Sequence, residues 1–311
     1  MNEKKYDFTV SWWWAGLVFF LFGFYLFGRT TKAVARAEST VVSDARWDRM
    51  VQNIQGVAER YNGDVGILIK DLKTGRTFEY NVDRTFICAS LIKVPIMVAV
   101  FEAINEGRIS LNTRIKYKQA YRRDGSGRLK WARAGAYYPL SYLVYEMITK
   151  SDNTATAMVI DLLGYDYLNA KFEKMGLNAT RIAPTGMSLA SRLANPALDN
   201  YTTPREMAEI LEKIYKHQLV SDGLSDLMLE IMKGANAPTR LAKNLPSDWQ
   251  LARKTGLLRK NCHDVGIVFA PEGDYVLCVL TNGKTNNYKM AKGLISSVGK
   301  QAYDYIDLSA I

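Results

Sequence analysis

Strand-forming segments lie near both ends of the soluble part of this sequence, with a block of helical patterns between them. Two β-rich runs, joined by a turn at Lys73-Thr74-Gly75, precede the block, and three apolar runs follow it between 249 and 282. Because strands must pair their backbone groups, the early and late strands are expected to share one sheet. We therefore predict an α+β fold, with an antiparallel five-stranded sheet flanked by helices (about 43–108 and 246–311), an inserted all-helical lobe (about 109–245) and a cleft between them.

Apolar residues recur at helical spacing in several segments outside the sheet. They predict helices at 43–61, 90–106, 140–149, 153–163, 167–175, 204–217, 224–233 and 287–306. Between two of these, the stretch from Ala179 to Thr203 is rich in Pro, Ser, Asn and Gly. Loops of this length inside a compact domain are uncommon and usually functional, so this stretch is a candidate part of a site.

The N-terminal part carries an uncharged stretch of 21 residues, Phe8 to Gly28. A helix needs about 20 apolar residues to cross a bilayer, and globular helices are rarely apolar on every face. We predict a transmembrane helix within an anchor at 1–28, a polar linker at 29–42 and a domain at 43–311. A cleaved signal segment is the alternative, because Ala35-Arg36-Ala37 resembles a cleavage site. Basic residues on both sides of the span leave its orientation open.

The formal net charge is +10, from 41 basic and 31 acidic residues. Such a field favours anionic partners: nucleic acid, anionic lipid head groups or an acidic cell-wall polymer. The sequence has no run of five or six Lys/Arg with interleaved aromatic residues and no zinc-knuckle or RNP-like pattern, so no nucleic-acid partner is expected. Charge alone does not decide between the other two.

Cysteine and histidine are scarce. Cys88, Cys262 and Cys278 cannot all pair within one chain, and they lack the C-x-x-C spacing of a metal site. Cys278 lies in an apolar run and is expected to pack as a small hydrophobic residue. His217 and His263 are the only histidines, and no H-E-x-x-H is present. We therefore expect any hydrolytic chemistry to do without histidine.

A serine and a lysine stand three residues apart at the start of a predicted helix, Ser90-Leu91-Ile92-Lys93. Residues at this spacing share a helix face, so the amine can take the proton of the hydroxyl. Taken alone, the pattern is as well explained by a serine that caps the helix. A second S-x-x-K, Ser297 to Lys300, is interpreted as exposed helix surface.

Two further motifs follow in the order that a serine acyl-transfer enzyme requires. Ser151-Asp152-Asn153 lies between two predicted helices, and Lys254-Thr255-Gly256 ends a predicted strand. The other K-T-G, at 73–75, precedes Ser90 and is interpreted as a hairpin turn. The Ser151-Asp152-Asn153 motif is also compatible with a helix cap. The ordered set of three is far more specific than any one of them.

With these motifs, the chain from about Ser43 to its C-terminus resembles the class A β-lactamase-like branch of the penicillin-binding protein and DD-peptidase superfamily. Asp124-Gly125-Ser126-Gly127 and the stretches MITKSDNTATAMVIDLLG and TTPREMA add to the likeness. The resemblance implies a serine hydrolase with no metal or organic cofactor. It also implies that Ser90 is acylated, that Lys93 is its base or part of a proton relay, and that Ser151 passes a proton to the leaving nitrogen.

The same resemblance implies the groups that bind substrate. Asn153 would bind the substrate amide and hold the lysine of the first motif. Lys254, Thr255 and Gly256 would form the substrate-binding strand, with the first two holding a carboxylate. The backbone N–H groups of Ser90 and Leu257 would form the oxyanion hole.

One element of class A β-lactamases is missing from the sequence. These enzymes use a glutamate in the long loop to activate water for deacylation, and the matching position falls near Met187. The loop has no carboxylate before Asp199, at its far end. We therefore favour a DD-peptidase-like or penicillin-binding enzyme that acts on D-alanyl-D-alanine peptides of peptidoglycan, on β-lactams, or on both. A genuine β-lactamase is the alternative, and an inactive peptidoglycan-sensing or scaffolding domain is the third reading.

Peptidoglycan and β-lactams are met outside the bacterial cytoplasmic membrane. The resemblance therefore implies a single-pass protein, held in that membrane through residues 8–28, with an extracytoplasmic catalytic domain. Cleavage of the N-terminal segment would instead release the domain as a secreted protein.

Overall fold

The computed structural model describes residues 45–183 and 199–307. Residues 1–50 and 51–311 form two separate units, and of the first only the helical residues 45–50 are described. The predicted anchor, cleavage site and linker lie outside the described residues. Within the part that is described, no helix has both the length and the apolar character of a membrane span.

Five antiparallel strands form the main sheet, as predicted. They are β1 (Gly63–Asp71), β2 (Thr77–Tyr80), β7 (Gln250–Leu258), β8 (Asn261–Phe269) and β9 (Tyr275–Gly283), in the spatial order β2-β1-β9-β8-β7. The first strand pairs with the last along its whole length, with Ile67 opposite Val279. This pairing confirms that early and late segments share one sheet.

Helices cover the sheet on both faces. Strands β8 and β9 are buried at almost every position, and alternate residues along a strand point to opposite faces. On β9, Val276, Cys278 and Leu280 belong to the main apolar core that extends into the helical lobe. The C-terminal helix, α8 (Tyr288–Ile306), packs against β8 and β9. Cys278 therefore packs as a small hydrophobic residue, as predicted.

The lobe between the two halves of the sheet is mostly helical. Besides α1 (45–59) and α8, the described α-helices are α2 (Lys93–Asn105), α3 (Leu140–Thr149), α4 (Asn153–Leu163), α5 (Tyr165–Lys174), α6 (Pro204–Tyr215) and α7 (Asp222–Lys233). A 3₁₀ turn, Ala89–Ile92, precedes α2, so the predicted helix at 90–106 begins as a tighter helix. Most of α2 is buried, which explains why its sequence is apolar on every face.

The prediction of an all-helical lobe is wrong in one respect. Strands β4 (Arg114–Lys116) and β5 (Tyr137–Pro139) pair within the lobe, and β6 (Tyr201–Thr202) pairs with β3 (Phe86–Ile87). Each of these strands has two or three residues, which is too short for a period-of-two pattern to be recognised. Their partners are also distant in sequence, so no hairpin turn signals the pairing.

Candidate active site

Ser90 lies in the 3₁₀ turn at the start of α2 and is half-buried at the mouth of a cleft. The residue before it, Ala89, has φ +49°, a left-handed conformation that is uncommon outside glycine. The backbone N–H of Cys88 donates to the carbonyl of Asn200 at 2.9 Å, which ties this turn to the end of the long loop. Such strain is retained where surrounding contacts fix the backbone, and it clusters at functional sites.

Lys93 follows one turn later and is fully buried. Its Nζ donates to the backbone oxygen of Ser151 at 2.7 Å, to Oγ of Ser151 at 3.1 Å and to Oδ1 of Asn153 at 2.8 Å. A buried amine is tolerated only when such partners replace its hydration. The first and second sequence motifs therefore meet at this amine.

Asp152, the middle residue of the second motif, shapes the site without facing the cleft. Its Oδ1 accepts from the backbone N–H groups of Thr154 and Ala155, which caps α4, and its Oδ2 accepts from that of Leu129. A Cβ on Gly127 would lie 2.1 Å from Cγ of Asp152, so only glycine fits beside it. The expected helix cap is present, but it is the aspartate that caps, not Ser151.

Asn153 is held from both ends of its side chain. While Oδ1 accepts from Lys93, Nδ2 donates to the carbonyl of Asp124 at 2.8 Å, and the backbone N–H donates to that of Ser126 at 3.1 Å. The Asp124–Gly127 segment is therefore fastened to the second motif. These contacts explain why the Asp124–Gly127 segment, which adds to the family resemblance, accompanies the second motif.

The third motif lies on β7, one of the two edge strands of the main sheet. Lys254 is almost fully buried, and its Nζ donates to Oγ of Ser151 at 3.1 Å. Thr255 and Leu257 line the same cleft. A Cβ on Gly256 would lie 3.2 Å from the carbonyl oxygen of Cys88, so this glycine lets β7 approach the turn that carries the serine. The structure thus gives Gly256 a spacing function.

The three motifs line one cleft of about 380 Å³. From the predicted residues it contains Ser90, Ser151, Lys254, Thr255 and Leu257, while Lys93 and Asn153 lie behind Ser151. Further walls come from Ser126 and from the segment after α7. Neither histidine lines the cleft, and no cluster of acidic, histidine or cysteine side chains suited to a metal ion occurs among residues 45–183 and 199–307.

A family model described as the beta-lactamase enzyme family matches residues 49–306 of the chain. The chain belongs to this family. Its curated relatives include the β-lactamase VEB-1 of Pseudomonas aeruginosa, which is 24% identical over 85% of this chain and 93% of its own length. The β-lactamase of Streptomyces albus G is 26% identical over 83% of each chain.

Solved structures give the same fold for this family member. A structure described as PBP-A matches with a TM-score of 0.75 and 31% identity, covering 82% of this chain and 95% of its own. The β-lactamase of Sphaerobacter thermophilus matches with a TM-score of 0.77 and 29% identity, covering 84% and 98%. A leucine-to-glutamate mutant of PBP-A has been solved as an acyl-enzyme complex with penicillin G. The likeness establishes a β-lactamase-like serine hydrolase.

Two arginines that the sequence motifs did not indicate shape the electrostatics of this β-lactamase-like cleft. Arg240 and Arg253 both line it, and neither belongs to a recognisable motif. Burial lowers the pKa of Lys254 to about 7; the Asp264 carboxylate opposes this shift, and the two guanidinium groups add to it. The third motif therefore presents an amine that changes charge close to neutral pH.

A buried ion pair lies behind that lysine. Arg253 donates to Oδ2 of Asp264 at 2.8 Å, with both side chains at most 1% exposed. The same guanidinium donates to the carbonyl oxygens of Ala235, Ala237 and Thr239. Arg253 thus fixes the segment after α7, which lines the cleft.

His263 supports the serine's turn from the side. Its Nδ1 accepts from the backbone N–H of Thr281 at 3.1 Å, so its Nε2 carries the proton and donates to the carbonyl of Ile87 at 2.8 Å. Burial lowers the pKa of this ring to about 4, which keeps it neutral. His217 lies elsewhere, between the carboxylates of Asp222 and Asp226.

Met187, the position where a deacylating carboxylate would be expected, lies outside the described residues. Asp199 is buried, and its Oδ1 accepts from the backbone N–H of Asn200 at 2.9 Å. The side chain of Asn200 in turn accepts from the N–H of Ala183, which closes the base of the loop. These contacts hold Asp199 and Asn200 at the base of the loop.

Proposed function

We propose that this chain is a DD-peptidase-like or penicillin-binding enzyme that forms an acyl-enzyme at Ser90. The observation that carries the proposal is the position of Ser151, whose Oγ is 3.1 Å from both Lys93 Nζ and Lys254 Nζ. One hydroxyl thereby joins the base beside the nucleophile to the lysine of the carboxylate-binding strand. An inactive sensing or scaffolding domain would not need this buried and costly arrangement.

The proposed reaction begins when Ser90 Oγ attacks the carbonyl carbon of a D-alanyl-D-alanine peptide or a β-lactam. Lys93 takes the hydroxyl proton as a neutral amine, and the Ser90 and Leu257 N–H groups stabilise the oxyanion. Ser151 then gives its proton to the leaving nitrogen and regains one through the lysines. The C–N bond breaks as the acyl ester forms, while Lys254 and Thr255 hold the substrate carboxylate.

Hydrolysis of the ester distinguishes this proposal from a β-lactamase. The loop between Ala179 and Leu198 contains no carboxylate, so the usual base for activating water is missing. We therefore propose slow deacylation. The names of the relatives favour the second candidate, a β-lactamase, in which a different group activates the water.

Labelling with a fluorescent penicillin tests the proposal. Wild type should label, Ser90→Ala should not, and the matched control Ser297→Ala, at the other S-x-x-K, should label normally. Once the free label is removed, the ester should persist for minutes, because loss of a general base costs about 10²–10⁴-fold in rate. Equal labelling of Ser90→Ala would refute the mechanism, whereas rapid multiple turnover would favour the β-lactamase.

We also propose that the catalytic domain lies outside the cytoplasmic membrane, anchored through residues 8–28. The support is chemical, since peptidoglycan peptides and β-lactams are met there. A reporter active only outside the cytoplasm, fused after Ile311, should be active. Activity of a cytoplasm-only reporter at the same position would overturn the orientation, and a loss of about 4 kDa at maturation would favour cleavage near Ala37.

A further inference from the structure

Most of the net positive charge comes from one short part of the chain. Residues 114–133, which we call the basic segment, hold eight lysines or arginines and one acidic residue, Asp124. Their net of seven positive charges compares with +10 for all 311 residues. The cations are Arg114, Lys116, Lys118, Arg122, Arg123, Arg128, Lys130 and Arg133.

These cations lie at the surface, and few of them have carboxylate partners. Six are exposed, and Arg123 and Lys130 are half-buried. Within the described residues, only Lys118 and Arg128 have a carboxylate oxygen within 4.0 Å, at 3.9 and 3.4 Å. By contrast, Arg205 on α6 is bound by two carboxylates, at 2.6 and 2.8 Å. The basic segment is therefore an unbalanced field that an anionic partner would neutralise.

Two exposed aromatic rings lie among the cations. Trp131 is 72% exposed, and its ring centre lies 5.1 Å from Cζ of Arg122 and 5.6 Å from Nζ of Lys130. Tyr137 is 51% exposed, and the β4–β5 pairing places Lys116 opposite it, with Nζ 5.9 Å from the ring centre. Each ring thus exposes apolar surface and has positive charge close to its face.

This surface adjoins the candidate active site. The basic segment contains Asp124 and Ser126, which bind Asn153 through their backbone oxygens, and Ser126 also lines the cleft. Nζ of Lys130 donates to the carbonyl of Gly125 at 2.6 Å. This bond joins the turn that carries Trp131 to the loop that contains Asp124 and Ser126. A long ligand held on the basic segment would therefore pass the mouth of the cleft.

We propose that the basic segment, together with the adjacent Tyr137, binds an acidic polysaccharide. Its sugar rings stack on Trp131 and Tyr137, and its carboxylate or phosphate groups contact the surrounding cations. An anionic membrane fits less well, because this surface continues into the mouth of the cleft, which a membrane lying on it would cover. If the proposed function holds, the polymer is the one that carries the peptide substrate, and the segment delivers that peptide to Ser90.

Binding of sodium polygalacturonate to the full-length protein in nonionic detergent tests this proposal. The protein should bind polygalacturonate, should release it as salt rises, and should ignore neutral dextran. Trp131→Ala and the double variant Lys116→Gln/Arg122→Gln should each weaken binding by about tenfold, the effect of losing a stacking or charge contact. None of these residues takes part in the proposed chemistry, so penicillin labelling should remain normal.

Matched variants show whether a loss of binding is specific to the basic segment. Tyr145→Ala removes an exposed ring outside the basic segment, and Lys284→Gln/Lys289→Gln removes two exposed charges elsewhere. Both should bind like wild type. The proposal is overturned by no binding, by equal losses in the matched variants, or by binding of micelles with phosphatidylglycerol or of single-stranded DNA without polygalacturonate. A failure of Ser90 labelling would instead overturn the proposed function alone.

Discussion

The basic side chains of the cleft and those of the basic segment differ in their surroundings. Lys93, Arg253 and Lys254 are at most 1% exposed, and each has oxygen acceptors at hydrogen-bond distance. Arg114 and Arg122 are exposed, and neither has a carboxylate within 4.0 Å in the described part of the chain. Desolvation makes a buried charge sensitive to every partner, whereas water screens an exposed one. One region is therefore suited to chemistry, and the other to the attraction of large anions.

The largest expected difference between the two regions is in the rate of acylation after replacement of a lysine. Lys93→Ala removes the base next to Ser90, so the rate of penicillin acylation should fall by about 10²–10⁴-fold. The matched variant Lys116→Ala removes an exposed cation and should acylate at the wild-type rate. Stopped-flow or quench kinetics would measure both. Comparable rates for the two variants would show that the buried amine is not the base.

Loss of the buried Arg253 should lower the stability of the fold, in addition to any effect on reactivity. Arg253→Met leaves Asp264 buried without its ion pair, and the free energy of unfolding should fall by about 3–5 kcal/mol. The double variant Arg253→Met/Asp264→Leu should recover most of this loss, because no uncompensated charge remains. Arg114→Met should stay within about 0.5 kcal/mol of wild type. Urea unfolding measures all three, and an unaffected Arg253→Met would contradict the assigned burial.

The smallest expected effect concerns the charge of Lys254. Because its pKa is lowered to about 7, the free enzyme loses this cation as the pH rises through neutrality. The second-order rate constant for acylation by a carboxylate-bearing β-lactam should therefore fall by about tenfold in total as the pH rises through that value, the effect of losing one charge-assisted contact. In Lys254→Arg the guanidinium stays charged, so this decline should disappear. An unchanged decline in the variant would assign it to a different group.

The sequence alone was sufficient to predict an element or a site residue where the signal is local or periodic. The strands around Cys278, the α4 helix after Asp152 and the Ser90 motif were all predicted, because each depends on neighbouring residues. Arg240 could not be predicted, since only the folded chain brings it beside Lys254. The cations of the basic segment were likewise too dispersed in sequence to form a recognisable run. Arg114 and Lys116 reach Tyr137 only when β4 and β5 pair.

The strand at the centre of the sheet, β9, is the last strand to leave the ribosome. Roughly 200 residues separate it from its partner β1, which at about 5–20 residues per second corresponds to about 10–40 s of translation. During that interval the β1–β2 hairpin has no neighbour, while the helices of the lobe depend mainly on local contacts. Lys254 also emerges late, only shortly before β9. A nascent chain therefore acquires the complete cleft only near the end of synthesis, and any chain terminated before Tyr275 lacks the strand that joins the two halves of the sheet.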